Sequence, residues 1–218
     1  MKIETTSGLI LRTRLLTETS LIIHWLTPEL GRIATVAKGA RRAKSPFAGK
    51  LDIFYAAEFS FSRSRSSDLH NLREVKLHAT HRAIREDILK LQQAAYAANF
   101  LEQATETETP LPEIFELVRN FLESLCGQKT SPQNIFALEI KLLHELGLAP
   151  DLEETRLTLG AKKIVATLLK SDWGNNSRLQ LSHSQGNELR EWLHDYLIFH
   201  LGRLPRGRAA AVAGEAEK

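Results

Sequence analysis

The sequence contains few of the residues that build disulfide-linked, zinc-binding or membrane proteins. Its only cysteine is Cys126, which excludes an internal disulfide and any multi-cysteine zinc site. No apolar run approaches the roughly 20 residues that a helix needs to cross a bilayer. The first residues carry Glu4 and two arginines, which argues against a secretory signal peptide. We therefore expect a protein of the reducing cytosol that does not contact a membrane.

The motifs of common catalytic sites are also missing. The eight histidines form no HExxH pattern, and neither a Gly-rich phosphate loop nor a G-x-S-x-G elbow occurs. His78 and His81 are close in sequence, but surface or capping histidines are the commoner arrangement. Cys126 falls on the apolar edge of a predicted helix, where core packing is commoner than nucleophilic chemistry. The sequence therefore predicts no enzyme and no cofactor.

Charge is distributed unevenly in an otherwise ordinary globular composition of 43% hydrophobic and 25% charged residues. Residues 1–80 contain 13 Lys and Arg against 7 Asp and Glu, a net charge of +6. Residues 81–218 contain 16 against 19, a net charge of −3. A basic first segment indicates that any contact with a polyanion lies there. The alternative is a solvated surface with chance asymmetry.

The hydrophobic pattern divides the chain into strands followed by helices. Before residue 80, five stretches have the pattern of strands, and no helical stretch between them is long enough for a parallel crossover, which predicts a small antiparallel barrel. From Thr80 to Leu146 apolar residues recur with helical spacing. Residues 150–186 are irregular, with short strands expected at 156–159 and 179–182 and a short helix at 163–169. A last helix is expected from about residue 187 to residue 201, followed by a frayed tail.

The most informative stretch is AlaLysGlyAlaArgArgAlaLysSerProPhe at 37–47, directly after a predicted strand. Four cations within seven residues can neutralise phosphates and release counterions, and Gly39 lets the backbone approach a ligand closely. A solvated loop is the alternative. Arginines of other strands and turns are expected near the same rim of the barrel, namely Arg12, Arg14, Arg63 and Arg65. Nearby aromatic residues are expected mostly to fill the barrel, although some are candidates for base stacking, namely Phe47, Phe54, Tyr55, Phe59 and Phe61.

Three motifs follow one another in the first 54 residues: Gly8-Leu9-Ile10-Leu11-Arg12, then Val36-Ala37-Lys38-Gly39-Ala40-Arg41-Arg42 with Ser45, then Leu51-Asp52-Ile53-Phe54. In this order they resemble the N-terminal OB-fold of the bacterial recombination mediator family RecO. The step Leu146-Gly147-Leu148-Ala149-Pro150 and the closing Tyr196-x-x-x-His200-Leu201-Gly202 extend this resemblance over essentially the whole chain.

The resemblance implies an α+β protein with a five-stranded OB-fold barrel at 1–79 and an all-helical domain at 80–149. A closing helix at 187–202 completes the helical domain, and a basic, flexible tail occupies 203–218. Many relatives carry a four-cysteine zinc module in the place of residues 150–186, which here contain no cysteine. A metal-free remnant is therefore expected there, packed through Leu157, Leu159, Leu179 and Leu181.

The resemblance also implies a DNA repair and recombination mediator, cytoplasmic and associated with the nucleoid. Such proteins bind single- and double-stranded DNA and anneal complementary strands. They contact RecR and the acidic C-terminal tail of the single-stranded DNA-binding protein, and thereby help to load RecA. The family's DNA contacts map onto Lys38, Arg41, Arg42 and Lys44, and more weakly onto Arg12 and Arg14. A second basic cluster, with Arg203, Arg206 and Arg208, is either a further DNA contact or a solubilising tail.

Two alternatives to this function stay open at the level of the sequence. The first is a protein–protein adaptor in which the barrel is only a scaffold, which the near-neutral second half favours. The second is an OB-fold protein that binds RNA, for which a preference for RNA over a matched DNA strand is the distinguishing property.

Overall fold

The structure is a computed structural model that describes residues 2–176 and 178–213. The chain forms two compact units. The first contains the chain through Arg82 together with Thr105–Arg119, and the second contains Ala83–Ala104 and the chain from Asn120 onward. The segment Thr105–Arg119, which follows the first long helix, thus belongs to the same unit as the strands.

The first unit is built on five strands that close into a barrel in the order β1-β2-β3-β5-β4. They are β1 (Ile3–Leu15), β2 (Leu21–Thr27), β3 (Gly31–Ala37), β4 (Ala56–Ser62) and β5 (Leu69–Ala79). β1 pairs with β4 through its first half and with β2 through its second half. A register shift between Ile10 and Arg12 marks the change, as a bulge that bends a strand does. The predicted α+β fold with a five-stranded barrel first is confirmed.

One seam of the barrel is parallel. β3 and β5 pair from Ala34–Leu69 to Val36–Asn71 in the same direction, whereas the other four pairs are antiparallel. The prediction of an antiparallel barrel is therefore wrong at this seam. The chain leaves β3 and crosses to β4 beside β1, so that β5, antiparallel to β4, runs alongside β3 in the same direction.

The barrel is filled by inward-facing aromatic and branched side chains. The rings of Trp25 and Phe59 stack with centroids 3.9 Å apart, and Phe61 lies beside Phe59 at 5.8 Å. The indole nitrogen of Trp25 donates a 2.8 Å hydrogen bond to the hydroxyl of Thr35, so its polar atom is satisfied within the core. This core fixes the strand register, because a one-residue slip would expose every inward side chain.

Residues 105–111 pack against the turn between β2 and β3. The guanidinium Nε of Arg32 donates to the hydroxyl of Thr105 at 2.8 Å, and the amide of Glu108 donates to the carbonyl of Arg32 at 2.9 Å. Gly31 has φ +63°, and a Cβ there would lie 1.8 Å from the carbonyl oxygen of Thr109. Only glycine fits this close approach.

The remaining elements are helices. They are α1 (Arg82–Arg85), α2 (Ile88–Ala104), α3 (Pro112–Gly127), α4 (Pro132–Glu145), α5 (Leu159–Lys170), α6 (Trp173–Asn176), α7 (His183–Leu201) and α8 (Arg208–Val212). α3 crosses from the first unit to the second at Arg119.

The irregular segment 150–186 differs in part from its prediction. The short helix predicted at 163–169 lies within α5, but the described residues contain no strand at 156–159 or 179–182. At the first of these places the hydroxyl of Thr158 accepts from the amide of Ala161 and starts α5. Of the four leucines expected to pack the segment, Leu157 is buried but Leu159 is exposed. α7 begins at His183, earlier than predicted, because Ser182 and Gln185 form a capping box.

Candidate nucleic-acid interface

The loop that follows β3 is a run of 13 residues without a carboxylate. We call residues 38–50 the cationic loop, since they contain five Lys or Arg and no Asp or Glu. Its first part is made of consecutive turns: the amide of Arg42 donates to the carbonyl of Gly39, and the amide of Ser45 donates to the carbonyl of Arg42, both at 3.0 Å. Gly39 has φ +68°, a conformation that favours glycine. The turns leave the side chains between them free to point outward.

The cationic loop is fastened to the turn between β1 and β2. The amide of Gly39 donates to the hydroxyl of Ser20 at 3.3 Å, and the amide of Arg41 donates to the carbonyl of Thr19 at 3.0 Å. The guanidinium of Arg41 donates to the carbonyl of Glu18 at 2.9 Å. Further along, Phe47 inserts into the barrel core. The loop is therefore positioned mainly by backbone hydrogen bonds and one buried ring, which leaves its charges unneutralised.

The structure exposes all four cations that the sequence singles out in this loop: Lys38, Arg41, Arg42 and Lys44. Within the described part of the chain, no carboxylate forms an ion pair with any of them. Lys50 is a fifth, half-buried cation of the same loop. Lys50 ends the same carboxylate-free run, but it was not among the residues predicted from the sequence.

Arg12 and Arg14 lie on β1 at the same end of the barrel. Arg12 pairs with His24 and Arg14 with Ile22 on β2, and Ile22 in turn pairs with Val36 on β3, two residues before Lys38. Arg14 is exposed, whereas Arg12 is half-buried. The register therefore brings both arginines close to the start of the cationic loop.

Arg63 and Arg65 do not share that rim. They follow β4, whose last residue Ser62 pairs with Ile3 at the opposite end of β1. Arg63 is also neutralised, since it lies 3.2 Å from a carboxylate oxygen of Glu4 and 3.4 Å from one of Glu108. The hydrogen bond from Arg63 lowers the pKa of Glu4, and burial opposes this only in part. The expectation that all these arginines lie near one rim is wrong.

The phenylalanines of the barrel are not available for base stacking. Phe47, Phe54, Phe59 and Phe61 are each at most 6% exposed. Tyr55, in contrast, is half-buried and lies at the end of the loop region. Alternation in the sequence predicts burial for most of these rings, and the structure leaves Tyr55 as the candidate for contact with a base.

The second basic cluster has a different environment. Arg208 is 4% exposed, and its guanidinium Nε and Nη2 lie 2.6 and 2.9 Å from the two carboxylate oxygens of Glu139, which is fully buried. The hydroxyl of Tyr96 donates to the same carboxylate at 2.6 Å. Burial alone lowers the pKa of Arg208, but the bond and charge of Glu139 outweigh it, so the pKa is raised. Arg208 is therefore a structural residue.

The expectation of a frayed tail from residue 203 is wrong as far as residue 213. α8 forms there, and Gln93 and Asn99 donate side-chain hydrogen bonds to the carbonyls of Ala211 and Arg206. Arg203 and Arg206 are exposed. Residues 214–218 of the predicted tail lie outside the described residues.

Comparison with known proteins agrees with the fold and with the sequence pattern. Family models described as Recombination protein O N terminal and Recombination protein O C terminal match residues 1–81 and 85–157. The chain belongs to the RecO family. Several RecO proteins align with about two thirds of this chain. The "DNA repair protein RecO" of Rhodopirellula baltica is 32% identical over 143 residues, and that of Bacillus subtilis is 34% identical over 146 residues.

The length of the match differs among RecO relatives. It covers 66% of this chain in both cases, but only 53% of the Rhodopirellula baltica protein and 56% of the Bacillus subtilis protein. The chain thus spans little more than half the length of these relatives. The "DNA repair protein RecO" of an Anaeromyxobacter species is 26% identical over 231 residues, which cover 90% of this chain and 91% of that protein.

The zinc module of many RecO proteins does not fit the residues present in this chain. Cys126 is the only cysteine of the sequence, and it lies on α3 rather than in the segment 150–186. Burial raises the pKa of its thiol, which disfavours the thiolate that metal binding needs. Within residues 2–176 and 178–213, no group of three or more His, Cys, Asp or Glu side chains is placed to hold a metal ion. No helix of that part is long and apolar enough to span a membrane.

Proposed function

We propose that this RecO-family chain is a DNA repair and recombination mediator whose cationic loop binds the DNA backbone. The observation that carries the proposal is the group of four exposed cations in a stretch without carboxylates, fastened to the barrel by backbone hydrogen bonds. Arg12 and Arg14 extend this surface along β1. The bound molecule is single- or double-stranded DNA.

Counterion release supplies most of the binding free energy in this proposal. Each Lys or Arg that neutralises a phosphate displaces condensed cations from the DNA, so that the affinity falls as the salt concentration rises. Because turns and the bond between Arg41 and Glu18 already order the loop, little backbone entropy is lost when DNA binds. The contacts are to phosphates, so we expect little dependence on base sequence from the loop cations.

The finer activities of the proposal are those of a mediator. The chain anneals complementary strands by screening the repulsion between their phosphates. Together with RecR it acts on DNA coated with the single-stranded DNA-binding protein, whose acidic C-terminal tail it binds, and it helps RecA to load. It works in the cytoplasm at the nucleoid and catalyses no reaction.

Annealing of complementary strands coated with the single-stranded DNA-binding protein tests this proposal. The test variant replaces Lys38, Arg41, Arg42 and Lys44 by Ala. The control variant removes the same charge from exposed positions of the second unit by replacing Lys129, Lys163, Lys170 and Arg178 by Ala. We expect wild type and control to anneal at similar rates. The test variant should anneal at least about tenfold more slowly, because it has lost several phosphate contacts. Equal rates for all three proteins would contradict the proposed site.

A further inference from the structure

A small cleft opens beside the cationic loop. Its volume is about 240 Å³, and the two ends of the loop form part of its wall. Leu21, at the start of β2, also lines it. The wall also includes Ala40, Leu51, Asp52 and Tyr55.

The lining of the cleft suits a flat heterocycle. Leu21, Ala40 and Leu51 are half-buried, with their inner sides packed on the barrel core, and they present apolar surface to the cleft. Tyr55 and Asp52 also line the cleft. The volume lies below the range of about 300–1,000 Å³ usual for drug-sized ligands, which favours a single ring system.

The cations of the loop lie immediately next to this wall along the chain. Ala40 directly precedes Arg41, and the wall residues Gly49 and Leu51 lie on either side of Lys50 in the sequence. A strand whose phosphates contact the loop therefore brings its bases to the mouth of the cleft. A base within a duplex is stacked on both faces and paired at its edge, so a base of a single strand turns into the cleft at a much smaller cost.

We propose that this cleft receives one unstacked base of single-stranded DNA while the cationic loop holds the neighbouring phosphates. This inference rests on the proposed function and adds a site that distinguishes a single strand from a duplex. The four loop cations contact the phosphates of single- and double-stranded DNA alike, whereas the cleft admits only an unpaired base.

Strands without bases provide the test. Fluorescence anisotropy with the full chain compares three labelled oligonucleotides of equal length: a normal single strand, a strand of abasic tetrahydrofuran sites only, and an abasic strand with one central base. Base–aromatic contacts are each worth a factor of about ten or more in affinity. We expect the normal strand to bind about tenfold more tightly than the abasic one, and the single base to restore most of that difference.

Filling the cleft supplies the matched variants. Ala40→Phe places a ring in the cleft and changes no charge, and Ala48→Phe does so from an exposed position of the same wall if Ala40→Phe fails to fold. Either variant is expected to bind all three strands at the affinity of the abasic one. The cleft proposal would be overturned if the wild type bound normal and abasic strands with equal affinity. It would also be overturned if a folded cleft-filled variant still bound the normal strand more tightly than the abasic one, by the same factor as the wild type. Failure of the wild type to bind any strand would instead contradict the proposed function.

Discussion

Two arginine-rich stretches of this chain look alike in sequence and differ in structure. Each stretch contains several cations separated by other residues: Gly and Ala in 38–44, and Leu, Pro and Gly in 203–208. The first exposes its four cations on turns, without an ion pair among the described residues. The second buries Arg208 against Glu139 and Tyr96. The comparison shows that the local density of positive charge does not distinguish an exposed, unpaired cation from a buried, structural one.

Burial and the nearest carboxylate make that distinction. Arg208 is already dehydrated and paired with the buried carboxylate of Glu139, so contact with a phosphate would lower its free energy little further. A hydrated cation on an exposed turn keeps its full charge for an incoming polyanion. The two stretches should therefore respond in opposite ways to mutation, one in stability and the other in DNA binding.

The largest effect on stability is expected at Arg208. Arg208→Ala leaves the fully buried carboxylate of Glu139 without its counter-charge, and loss of one partner of a buried pair costs about 3–5 kcal/mol. Unfolding in urea at neutral pH measures the change. Arg206→Ala is the control, since this exposed neighbour should change stability by less than about 0.5 kcal/mol.

A double variant sharpens the Arg208 prediction. Replacing Arg208 by Met and Glu139 by Leu removes both charges, and we expect it to recover most of the lost stability. If Arg208→Ala and Arg206→Ala unfold at the same urea concentration, Arg208 is not the structural cation that its contacts indicate.

The same buried cluster should make stability fall at alkaline pH. Burial, reinforced by the charge of Glu139, raises the pKa of Tyr96 well above its usual value of 10.0. The unfolded chain then ionises first, so the contribution of Tyr96 is complete below about pH 10 and decreases above it, by about 1.4 kcal/mol per pH unit. Thermal melts at several pH values between about 9 and 11 measure this. The melting temperature of Tyr96→Phe should fall less steeply with pH than that of the wild type. Parallel declines for both proteins would contradict this role.

Single substitutions in the cationic loop should lower DNA affinity but affect stability unequally. Lys44→Ala removes an exposed charge only, so we expect a loss of about threefold in affinity and a stability change within about 0.5 kcal/mol. Arg41→Ala also removes the hydrogen bond to the carbonyl of Glu18, which adds about 0.5–1.5 kcal/mol of destabilisation. Anisotropy and urea unfolding measure the two quantities. A larger stability loss for Lys44→Ala than for Arg41→Ala would refute this account of how the loop is held.

The smallest effect is expected at Arg63, an arginine that is neither buried nor unpaired. Arg63→Gln breaks a partly exposed ion pair worth about 0–1 kcal/mol. Because the pKa of Glu4 is lowered in the folded state, this contribution is present above about pH 4.5 and disappears as the pH falls through the folded pKa. Urea unfolding of both proteins at about pH 7 and about pH 3, where Glu4 is mostly ionised and mostly protonated in the unfolded chain, measures this contribution. A clear loss of DNA affinity in this variant would show that the rim extends further than the structure indicates.

Local pattern predicted the parts of this fold that depend on local physics. Alternation marked the strands, and turn residues with a run of cations marked the loop at 38–44. The structure exposes all four of those cations. What the loop cations contact stays a prediction.

Pairs of residues distant in sequence account for what the pattern missed. Arg208 finds Glu139 across 69 residues, and Arg32 finds Thr105 across 73 residues. No periodicity encodes such pairs, so the buried tail and the segment that joins the barrel were not predicted. The parallel seam between β3 and β5 is likewise a matter of strand order, which alternation does not specify.

The salt dependence of single-strand binding tests the central claim most directly. Anisotropy titrations over a range of salt concentrations give the slope of log affinity against log salt for wild type and for the variant with Ala at residues 38, 41, 42 and 44. We predict that the variant binds more weakly and that its slope is smaller in magnitude by about 3, since each lost phosphate contact on a single strand removes about 0.7. An unchanged slope and affinity would contradict the assignment of DNA binding to this loop.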